Sequence, residues 1–421
     1  MKELHYDAVV IGGGAAGMAA ALALEAADFS TALIEREEQL GGILLQCIHN
    51  GFGLHAFAEE LTGPEFAERF IEKTKASRIT RYLHTTVLSL RLVDSLHTDD
   101  REKELYCVSP QGVLHIRARA VVLAMGCRER NRGNVRIPGS RPAGVYTAGL
   151  AQRLVNIEGY IPGKEVVIIG SGDIGLIMAR RMSWVGCRVK AVVEILPYPA
   201  GLTRNIVQCL HDFAIPLYLS SQITRIFGND RVEGVEVSPI ENGVLVLDKR
   251  FRIDCDTLLF AVGLVPENEL SKDAGVELSG ATGGPLVDSF LMTNLEGVFA
   301  CGNVLHVHDL VDWVTEEGRR AGAYAAEWLK GARPLVQIRA KAGANVRYVN
   351  PGKLNPLGDT KVYLRSLIVK NHGVLELRMD NRVIKTIRQG HVQPSEMIEV
   401  LLHSKDLEGF TRDSVLEFGL T

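Results

Sequence analysis

The sequence lacks the cysteine patterns that bind metals or form structural disulfides. Its seven cysteines are scattered, and no CxxC pair or cysteine–histidine spacing suits zinc or an iron–sulfur cluster. An odd, unpatterned set is typical of a reducing compartment. We therefore expect a cytoplasmic protein without structural disulfides.

The sequence also lacks an excess of either charge and a long uninterrupted hydrophobic run. The 47 basic and 50 acidic side chains nearly cancel, so no strong field would hold nucleic acid or an anionic membrane. The apolar stretch 8–24 is interrupted by four glycines and is not flanked like a signal peptide. These absences predict small-molecule partners, no nucleic acid and no membrane span.

A strand–glycine–helix–strand–acid unit opens the chain. Tyr6–Ile11 and Thr31–Ile34 predict strands, the alanine-rich stretch 15–27 predicts a helix between them, and Glu35 follows. The glycines permit a tight turn and close approach to a pyrophosphate, while the acid accepts from ribose hydroxyls. The predicted cofactor-binding residues of this unit are Gly12, Gly14, Ala15, Ala16, Gly17, Glu35 and Arg36.

The same unit recurs in the middle of the chain. Strand Glu165–Ile169 leads into a second glycine cluster, and Glu194 follows the strand Arg188–Val193. The carboxylate favours the free 2′-hydroxyl of NAD and repels the 2′-phosphate of NADP, although three nearby arginines leave NADP open. The predicted residues are Gly170, Gly172, Asp173, Ile174, Gly175 and Glu194, and the arginines are Arg180, Arg181 and Arg188.

Other segments complete the prediction. Thr62–Ala76 begins with capping-box spacing and predicts a helix, while residues 361–370 and 373–388 alternate with period two around an Asp380–Asn381 turn. At roughly 150 residues per domain, the length suggests about three domains. We predict an α/β protein with two Rossmann-like dinucleotide-binding domains and a β-rich C-terminal domain.

Five short motifs carry a family resemblance. They are GGGAAG with Glu35, VVLAMG at 121–126, GSGDIG with Glu194, LLFAVG at 258–263 and TNLEGVFACGN at 293–303. Over about residues 5–331 the chain resembles the two-dinucleotide-binding-domain flavoproteins of the pyridine nucleotide–disulfide oxidoreductase superfamily. The resemblance implies an NAD-binding domain (156–256) inserted in a split FAD-binding domain (1–155 and 257–335), followed by a C-terminal interaction domain (336–421).

The resemblance also assigns residues to the cofactors. It places FAD on the first and last of these segments and NAD on the middle one, with further contacts at Gly42, Gly126, Gly263, Gly302 and Asn303. The family usually has aspartate at position 303, so Asn303 keeps an acceptor for the flavin ribitol without the charge. A helix beginning after Asn303 would point its positive N-terminus at the flavin.

One feature of the family is missing from this chain. The disulfide reductases carry a CxxxxC pair whose two positions here hold Leu44 and His49, so the redox disulfide is absent. Cys47 is either a lone redox thiol or a packing cysteine. His49 is either a proton donor or substrate-anion contact beside the flavin, or a structural histidine.

The segment His306-Val307-His308-Asp309 is a second cluster of titratable residues. One of its histidines is a candidate to face the flavin, and Asp309 is a candidate N-cap of the following helix. Two histidines and an aspartate within four residues cannot converge on one ion without further ligands, so no metal site is predicted. The candidate catalytic residues are Cys47, His49 and His306.

Longer stretches narrow the function. GGILLQCIHNGFGL, GCRERNRG and CGNVLHVHDLVD resemble a branch encoded beside flavin-dependent glycerol-3-phosphate dehydrogenases, which is similar to alpha-type subunits of opine, proline and cyanide-forming amine dehydrogenases. The resemblance implies hydride transfer between NAD(H) and FAD, with electrons passing to or from a partner dehydrogenase in a homo- or hetero-oligomer. The alternatives are a self-sufficient dehydrogenase of a small amine or hydroxy acid, a single-cysteine NADH oxidase, and a redox sensor or assembly subunit.

Overall fold

The chain folds into two compact units in a computed structural model that describes residues 3–93, 102–333, 337–411 and 413–421. The first unit combines Met1–Cys127 with Pro266–Thr421, and the second consists of Arg128–Val265. Residues 128–155, predicted to belong to the first FAD segment, fall in the second unit because they supply a strand and a helix there. The predicted start of the C-terminal domain at residue 336 lies outside the described residues.

The first unit begins with alternating strands and helices. Thr62 caps the second helix through the predicted capping box, in which the Thr62 N–H donates to Glu65 Oε2 at 2.8 Å. The elements are β1 (Glu3–Ile11), α1 (Ala15–Ala26), β2 (Thr31–Ile34), β3 (Asn50–Phe52), β4 (Leu61–Thr62), α2 (Gly63–Ala76), β5 (Thr80–Tyr82), β6 (Thr86–Val93), β7 (Glu102–Ser109) and β8 (Gly112–Leu123).

The second unit contains a five-stranded sheet and a small antiparallel sheet. The short strands β9 and β19 lie where the chain enters and leaves this unit. The elements are β9 (Cys127–Glu129), α3 (Arg132–Val135), β10 (Val145–Thr147), α4 (Ala148–Asn156), β11 (Glu165–Ile169), α5 (Asp173–Trp184), β12 (Arg188–Val193), α6 (Thr203–Ile206), β13 (Leu217–Tyr218), β14 (Ser221–Phe227), β15 (Gly234–Glu241), β16 (Val244–Leu245), β17 (Phe251–Ile253), β18 (Thr257–Phe260) and β19 (Leu264–Pro266). The larger sheet has the all-parallel order β10-β18-β11-β12-β13.

The chain then returns to the first unit with α7 (Glu269–Asp273), β20 (Val298–Ala300) and α8 (Val311–Leu329). The main sheet has the order β5-β2-β1-β8-β7-β6, and β20 pairs with β8. Five of these strands run parallel, whereas β7 pairs antiparallel with both β8 and β6. β1 ends at Ile11 and β8 at Leu123, and the Ala124 N–H donates to Ile11 O at 2.9 Å. The first glycine turn, which follows Ile11, therefore lies at the carboxyl edge of this sheet.

Helix α8 completes the first unit by packing directly on α1. A Cβ atom added to Gly318 would lie 2.2 Å from Ala16 O, and one added to Gly322 would lie 2.3 Å from Ala20 O. Because the two glycines are four residues apart, they lie on one face of α8. The helix backbones therefore touch along this face.

The C-terminal residues form two sheets around one apolar core. The strands are β21 (Ile338–Ala342), β22 (Val346–Asn350), β23 (Lys353–Leu354), β24 (Thr360–Ser366), β25 (Lys370–Met379), β26 (Arg382–Val392), β27 (Met397–Leu402) and β28 (Val415–Leu420). The sheets have the orders β23-β21-β28-β25-β26 and β22-β24-β27. Asp380 and Asn381 both have positive φ between the paired residues Met379 and Arg382, which confirms the predicted hairpin turn. None of the helices in the described ranges combines the length and the apolar composition that a membrane span requires.

Candidate functional site

The glycine turn between β1 and α1 leaves open space at a helix N-terminus. Gly12 has a φ of +106°, and a Cβ atom there would lie 2.3 Å from Ala124 O. A Cβ atom on Gly17 would lie 1.8 Å from Gly12 O. Gly14 differs, because a Cβ atom there would meet nothing within 4 Å. The open space beside the free N–H groups of α1 fits the pyrophosphate of a dinucleotide.

Glu35 fixes this turn from the end of β2. Its carboxylate is buried, and Oε2 accepts a 2.6 Å hydrogen bond from the Gly13 N–H while Oε1 accepts one of 2.9 Å from the Glu37 N–H. A carboxylate offers about four lone-pair positions, so it can hold the turn and still accept from a ribose hydroxyl.

The other predicted cofactor-binding residues of the first unit differ in their distance from the glycine turn. Ala15 and Ala16 are buried in the first turn of α1, and an added Cβ atom on Gly42 would lie 3.2 Å from Gly14 Cα. Gly126 has a φ of +73° with open space around it. Arg36 is 66% exposed and its Nε lies 3.9 Å from Glu37 Oε1, so it stands outside the turn.

The second unit repeats the same construction. Gly170 has a φ of +93°, and an added Cβ atom would lie 2.2 Å from Ala261 O. A Cβ atom on Gly175 would lie 2.2 Å from Gly170 O, whereas one on Gly172 would meet nothing within 4 Å. The glycines of both fingerprints therefore have matching roles, and a second opening of the same kind lies at the N-terminus of α5.

Glu194 occupies the position that Glu35 has in the first unit. Its Oε2 accepts hydrogen bonds from the Ser171 N–H at 2.8 Å and the Ser171 hydroxyl at 2.7 Å, and Oε1 accepts one from the Leu196 N–H at 2.9 Å. Asp173 at the start of α5 accepts from the Leu202 N–H at 2.9 Å and from Asn205 at 2.6 Å, so it also anchors the loop that follows Glu194. Ile174 is 39% exposed, and Gly263 has a φ of +96° with open space around it.

The helix predicted after Asn303 is α8, and a loop separates it from Asn303. Gly302–Val304 makes a single 3-10 turn, and α8 begins only at Val311. The reason is local, since Asn303 Oδ1 accepts the His308 N–H at 3.0 Å and closes the intervening chain into a loop. The Asn303 amide nitrogen lies 3.7 Å from Cys127 Sγ.

His306, His308 and Glu317 meet in the interior behind this loop. The Nε2 atoms of the two histidines lie 3.2 Å and 3.0 Å from the two oxygens of Glu317, and the Gly302 N–H donates to the same carboxylate at 2.6 Å. Burial, reinforced by His308, lowers the pKa of His306 to about 4. Burial alone would raise the pKa of Glu317, but the two histidines hold it well below its usual value.

Asp309 is not the N-cap of α8, which is Leu310. Its carboxylate instead binds the Arg365 guanidinium and accepts the Met397 N–H at 2.6 Å. Arg365 also donates to Val307 O at 3.0 Å. The C-terminal sheets thus hold residues 307–309 in place. The spacing of residues in this segment of the sequence did not indicate these contacts.

Cys47 and His49 lie near the start of the first unit but differ in environment. Cys47 is buried, its thiol lies 3.3 Å from Ile43 O, and burial raises its pKa to about 12. This environment favours the packing alternative over a redox thiol, because the thiolate is the reactive form. His49 is half-buried, with Nδ1 3.0 Å from Asn50 O and its ring 5.0 Å from Phe52.

Sequence reasoning missed several residues that shape the site. Asp312, in the first turn of α8, accepts the N–H groups of Gly53, His55 and Ala56 at 2.8–3.3 Å and so holds that loop on the helix. An aspartate in the first turn of a helix can be recognised in the sequence as favourable to the helix dipole. Its hydrogen-bond partners in a distant loop cannot be recognised there. The other missed residues are Ser171, Glu317, Gly318, Gly322 and Arg365.

Comparison with known proteins agrees with this geometry. The family model described as pyridine nucleotide-disulphide oxidoreductase matches residues 6–327. The chain belongs to this family and is an FAD-dependent, NAD(P)-linked oxidoreductase of the two-dinucleotide type. All seven cysteines lie in the described part of the chain and none is in a disulfide.

Three relatives illustrate the range of the family. The chain is 25% identical to thioredoxin reductase of Treponema pallidum, over 72% of this chain and 90% of that protein. It is 27% identical to the HcnB component of hydrogen cyanide synthase from Pseudomonas protegens and 26% identical to an opine oxidase subunit of Agrobacterium tumefaciens, each over 65% of this chain. These matches span only 60% and 55% of the two proteins.

Solved structures show the same fold. Thioredoxin reductase of T. acidophilum superposes with a TM-score of 0.62 at 24% identity, covering 77% of this chain and 98% of that one. L-proline dehydrogenase of P. horikoshii superposes with a TM-score of 0.56 at 21% identity, covering 78% of this chain and 56% of that one.

Proposed function

We propose that this protein transfers a hydride between NAD(H) and FAD and exchanges the two electrons with a partner dehydrogenase. The observation that carries the proposal is the pair of matching openings at Gly14 and Gly172, one in each unit, each beside a helix N-terminus and a buried carboxylate. A hydride carries two electrons and one proton, so NADH becomes NAD⁺ while FAD is reduced. This step needs positioning more than acid or base catalysis.

The surroundings of Glu194 support NAD over NADP. Arg181 Nε donates to Asn156 at 2.7 Å, and the Arg180 guanidinium lies 4.8 Å from the Trp184 ring centroid. Arg188 stands at the opposite end of β12, roughly 20 Å from Glu194 at about 3.3 Å per strand residue. None of these three arginines is engaged beside the carboxylate that would meet the 2′-position.

The cysteines and the relatives support an external electron partner. With Cys47 held as a thiol and no disulfide among the seven cysteines, electrons have no dithiol route through this chain. HcnB and the opine oxidase relative are both named as subunits, which favours a multi-component dehydrogenase. By resemblance, a glycerol-3-phosphate-oxidising flavoprotein is the proposed partner.

Anaerobic titration of the purified full chain tests the proposal. Stoichiometric NADH should bleach the flavin absorbance promptly, NADPH should do so more slowly, and small amines or hydroxy acids alone should have no effect. Reoxidation should then require an added acceptor or the partner dehydrogenase. Bleaching by an amine or hydroxy acid without nucleotide would instead establish a self-sufficient dehydrogenase. A colourless protein that takes up no FAD would overturn the proposal altogether.

A further inference from the structure

Three metal-ligating side chains converge in the interior of the first unit, outside the two glycine turns. His306 is 1% exposed, His308 is 8% exposed and Glu317 is 0% exposed. One potential ligand atom from each lies within 4.8 Å of the other two. We propose that these three residues bind one zinc-type divalent transition-metal cation.

The ligand chemistry and the distances agree with such an ion. Two imidazoles and one carboxylate form a set that zinc uses, with metal–ligand bonds of about 2.0–2.2 Å. Two donor atoms bonded to the same ion at those lengths lie roughly 3 Å apart, and the histidine Nε2 atoms are 3.2 Å and 3.0 Å from the Glu317 oxygens. Calcium and magnesium prefer all-oxygen sets and are disfavoured here.

The fold holds the ligands in place before any ion arrives. His306 and His308 are two residues apart on the loop that Asn303 closes, so both imidazoles reach the same side. Glu317 faces them because the next residue, Gly318, brings α8 against α1. The Nδ1 atom of each imidazole has no hydrogen-bond partner within the described segments, so both rings are engaged through Nε2.

Aromatic rings of the C-terminal sheets cover the cluster. The Tyr363 ring centroid lies 5.3 Å from each histidine ring, and the Tyr348 ring lies 6.0 Å from His306. Three protein ligands leave one coordination position of a zinc ion to a water molecule, and the aromatic rings cover the ion. Here it would tie residues 302–308 to α8. Glu317 is the further ligand that the histidine-rich segment requires, since Asp309 turns away to Arg365.

Metal content and cobalt binding test this proposal. The full chain, purified without a metal-affinity step, should carry about one zinc-type ion per chain by inductively coupled plasma mass spectrometry, and chelation should lower its thermal midpoint. Glu317→Gln and His308→Gln should each lose at least 80% of the ion. The matched control is His403→Gln, which alters an exposed histidine 2.9 Å from Asp359 and should retain the metal.

Cobalt provides a second, spectroscopic readout on the unmutated chain. After chelation, added Co²⁺ should produce the visible absorption of a low-coordinate cobalt site with a stoichiometry of about one. If Glu317→Gln does not fold, the Co²⁺ titration of the unmutated chain is sufficient to test the proposal. Metal-free wild-type protein without a cobalt spectrum, or metal retained in Glu317→Gln, would show that the cluster is only hydrogen-bonded and would overturn the proposal. Neither result depends on FAD reduction by NADH.

Discussion

The glycines of the two fingerprints are required for different physical reasons. Gly12 and Gly170 have positive φ values and backbone oxygens 2.2–2.3 Å from an added Cβ atom, so they are needed for the fold itself. Gly14 and Gly172 have ordinary φ values and open space, so they are needed only if something approaches the backbone there. Substitutions at the first pair should therefore affect folding stability, and substitutions at the second pair should affect nucleotide binding.

Replacing Gly14 or Gly172 by alanine should therefore weaken the binding of one nucleotide and leave the binding of the other unchanged. Gly14→Ala should weaken FAD affinity at least tenfold, about 1.4 kcal/mol, with little loss of stability in the FAD-free protein. Gly172→Ala should retain FAD but raise the Kd for NADH to a similar extent. Isothermal titration with each nucleotide and thermal unfolding of the apoprotein measure both effects. Equal loss of both nucleotides in either variant would contradict the assignment.

Glu194 should determine the choice between NADH and NADPH. Glu194→Gln keeps an oxygen that can accept from Ser171 but removes the charge that repels a 2′-phosphate. The ratio of kcat/KM for NADH over NADPH should fall roughly tenfold, equivalent to about 1.4 kcal/mol. Arg188→Gln at the far end of β12 is the control and should leave the ratio unchanged. A ratio that moves only in the control would assign ribose recognition to Arg188.

Cys47 should behave as a packing residue. Because burial raises its pKa to about 12, the thiolate fraction at pH 8 is about one in ten thousand, and the thiolate is the reactive form. Native protein should therefore show slow iodoacetamide labelling at Cys47, and Cys47→Ser should retain flavin reduction by NADH. Mass spectrometry after peroxide treatment supplies the decisive observation. Stoichiometric sulfenic acid at Cys47 would restore the redox-thiol alternative.

At the scale of elements, the contact between α1 and α8 assembles the first nucleotide module. These helices are almost 300 residues apart in the chain, yet the Gly318 and Gly322 positions bring their backbones together. The same contact places Glu317 beside Gly302, whose N–H it accepts at 2.6 Å. The last helix therefore shapes the loop that carries Asn303.

A methyl group at Gly318 should disrupt this contact. Gly318→Ala would place Cβ 2.2 Å from Ala16 O, a clash that only a backbone shift can relieve, and should cost about 1–3 kcal/mol of unfolding free energy. Gly280→Ala, where an added Cβ atom meets nothing within 4 Å, is the control and should be nearly neutral. Urea unfolding of the two variants compares them. Equal stability of both would mean that the helices separate at little cost.

At the scale of the whole molecule, the C-terminal sheets belong to the same compact unit as the first nucleotide module. Arg365 and Tyr363 on β24 contact the loop after β20 and the side chains on α8, including the 3.4 Å approach of Arg320 to the Tyr363 hydroxyl. The resemblance implies an interaction domain here, and a docking role stays a prediction. These contacts show that the same sheets also support the loop after β20, which carries Asn303.

Removing the Arg365 contacts should accordingly weaken flavin retention. Arg365→Leu leaves the Asp309 carboxylate without its guanidinium partner and frees residues 307–309, so FAD affinity should fall about three- to tenfold. Arg378→Leu, which removes an exposed pairing with Glu376 at 2.7 Å, is the control. Flavin fluorescence during dialysis follows the loss. Identical retention in both variants would show that the loop does not need the C-terminal sheets.

The parts of the site that sequence reasoning recovered are those with short-range causes. Gly12, Gly17 and Glu35 lie within one strand–helix–strand unit, and their spacing alone predicts the turn. The capping box at Thr62 and the hairpin at Asp380 are equally local. The candidate N-cap at Asp309 was wrong because its carboxylate binds Arg365, a partner 56 residues away that periodicity does not reveal.

The sequence by itself determined the two nucleotide-binding units and the absence of a paired-cysteine motif, because each depends on residues close together in the chain. Only the tertiary structure brought Glu317 to His306 and His308, Asp312 to Gly53, and Arg365 to Val307. These contacts join segments that are separated by up to 259 residues and depend on how helices and sheets pack. No local pattern encodes that packing, since many distant apolar and small residues decide it together.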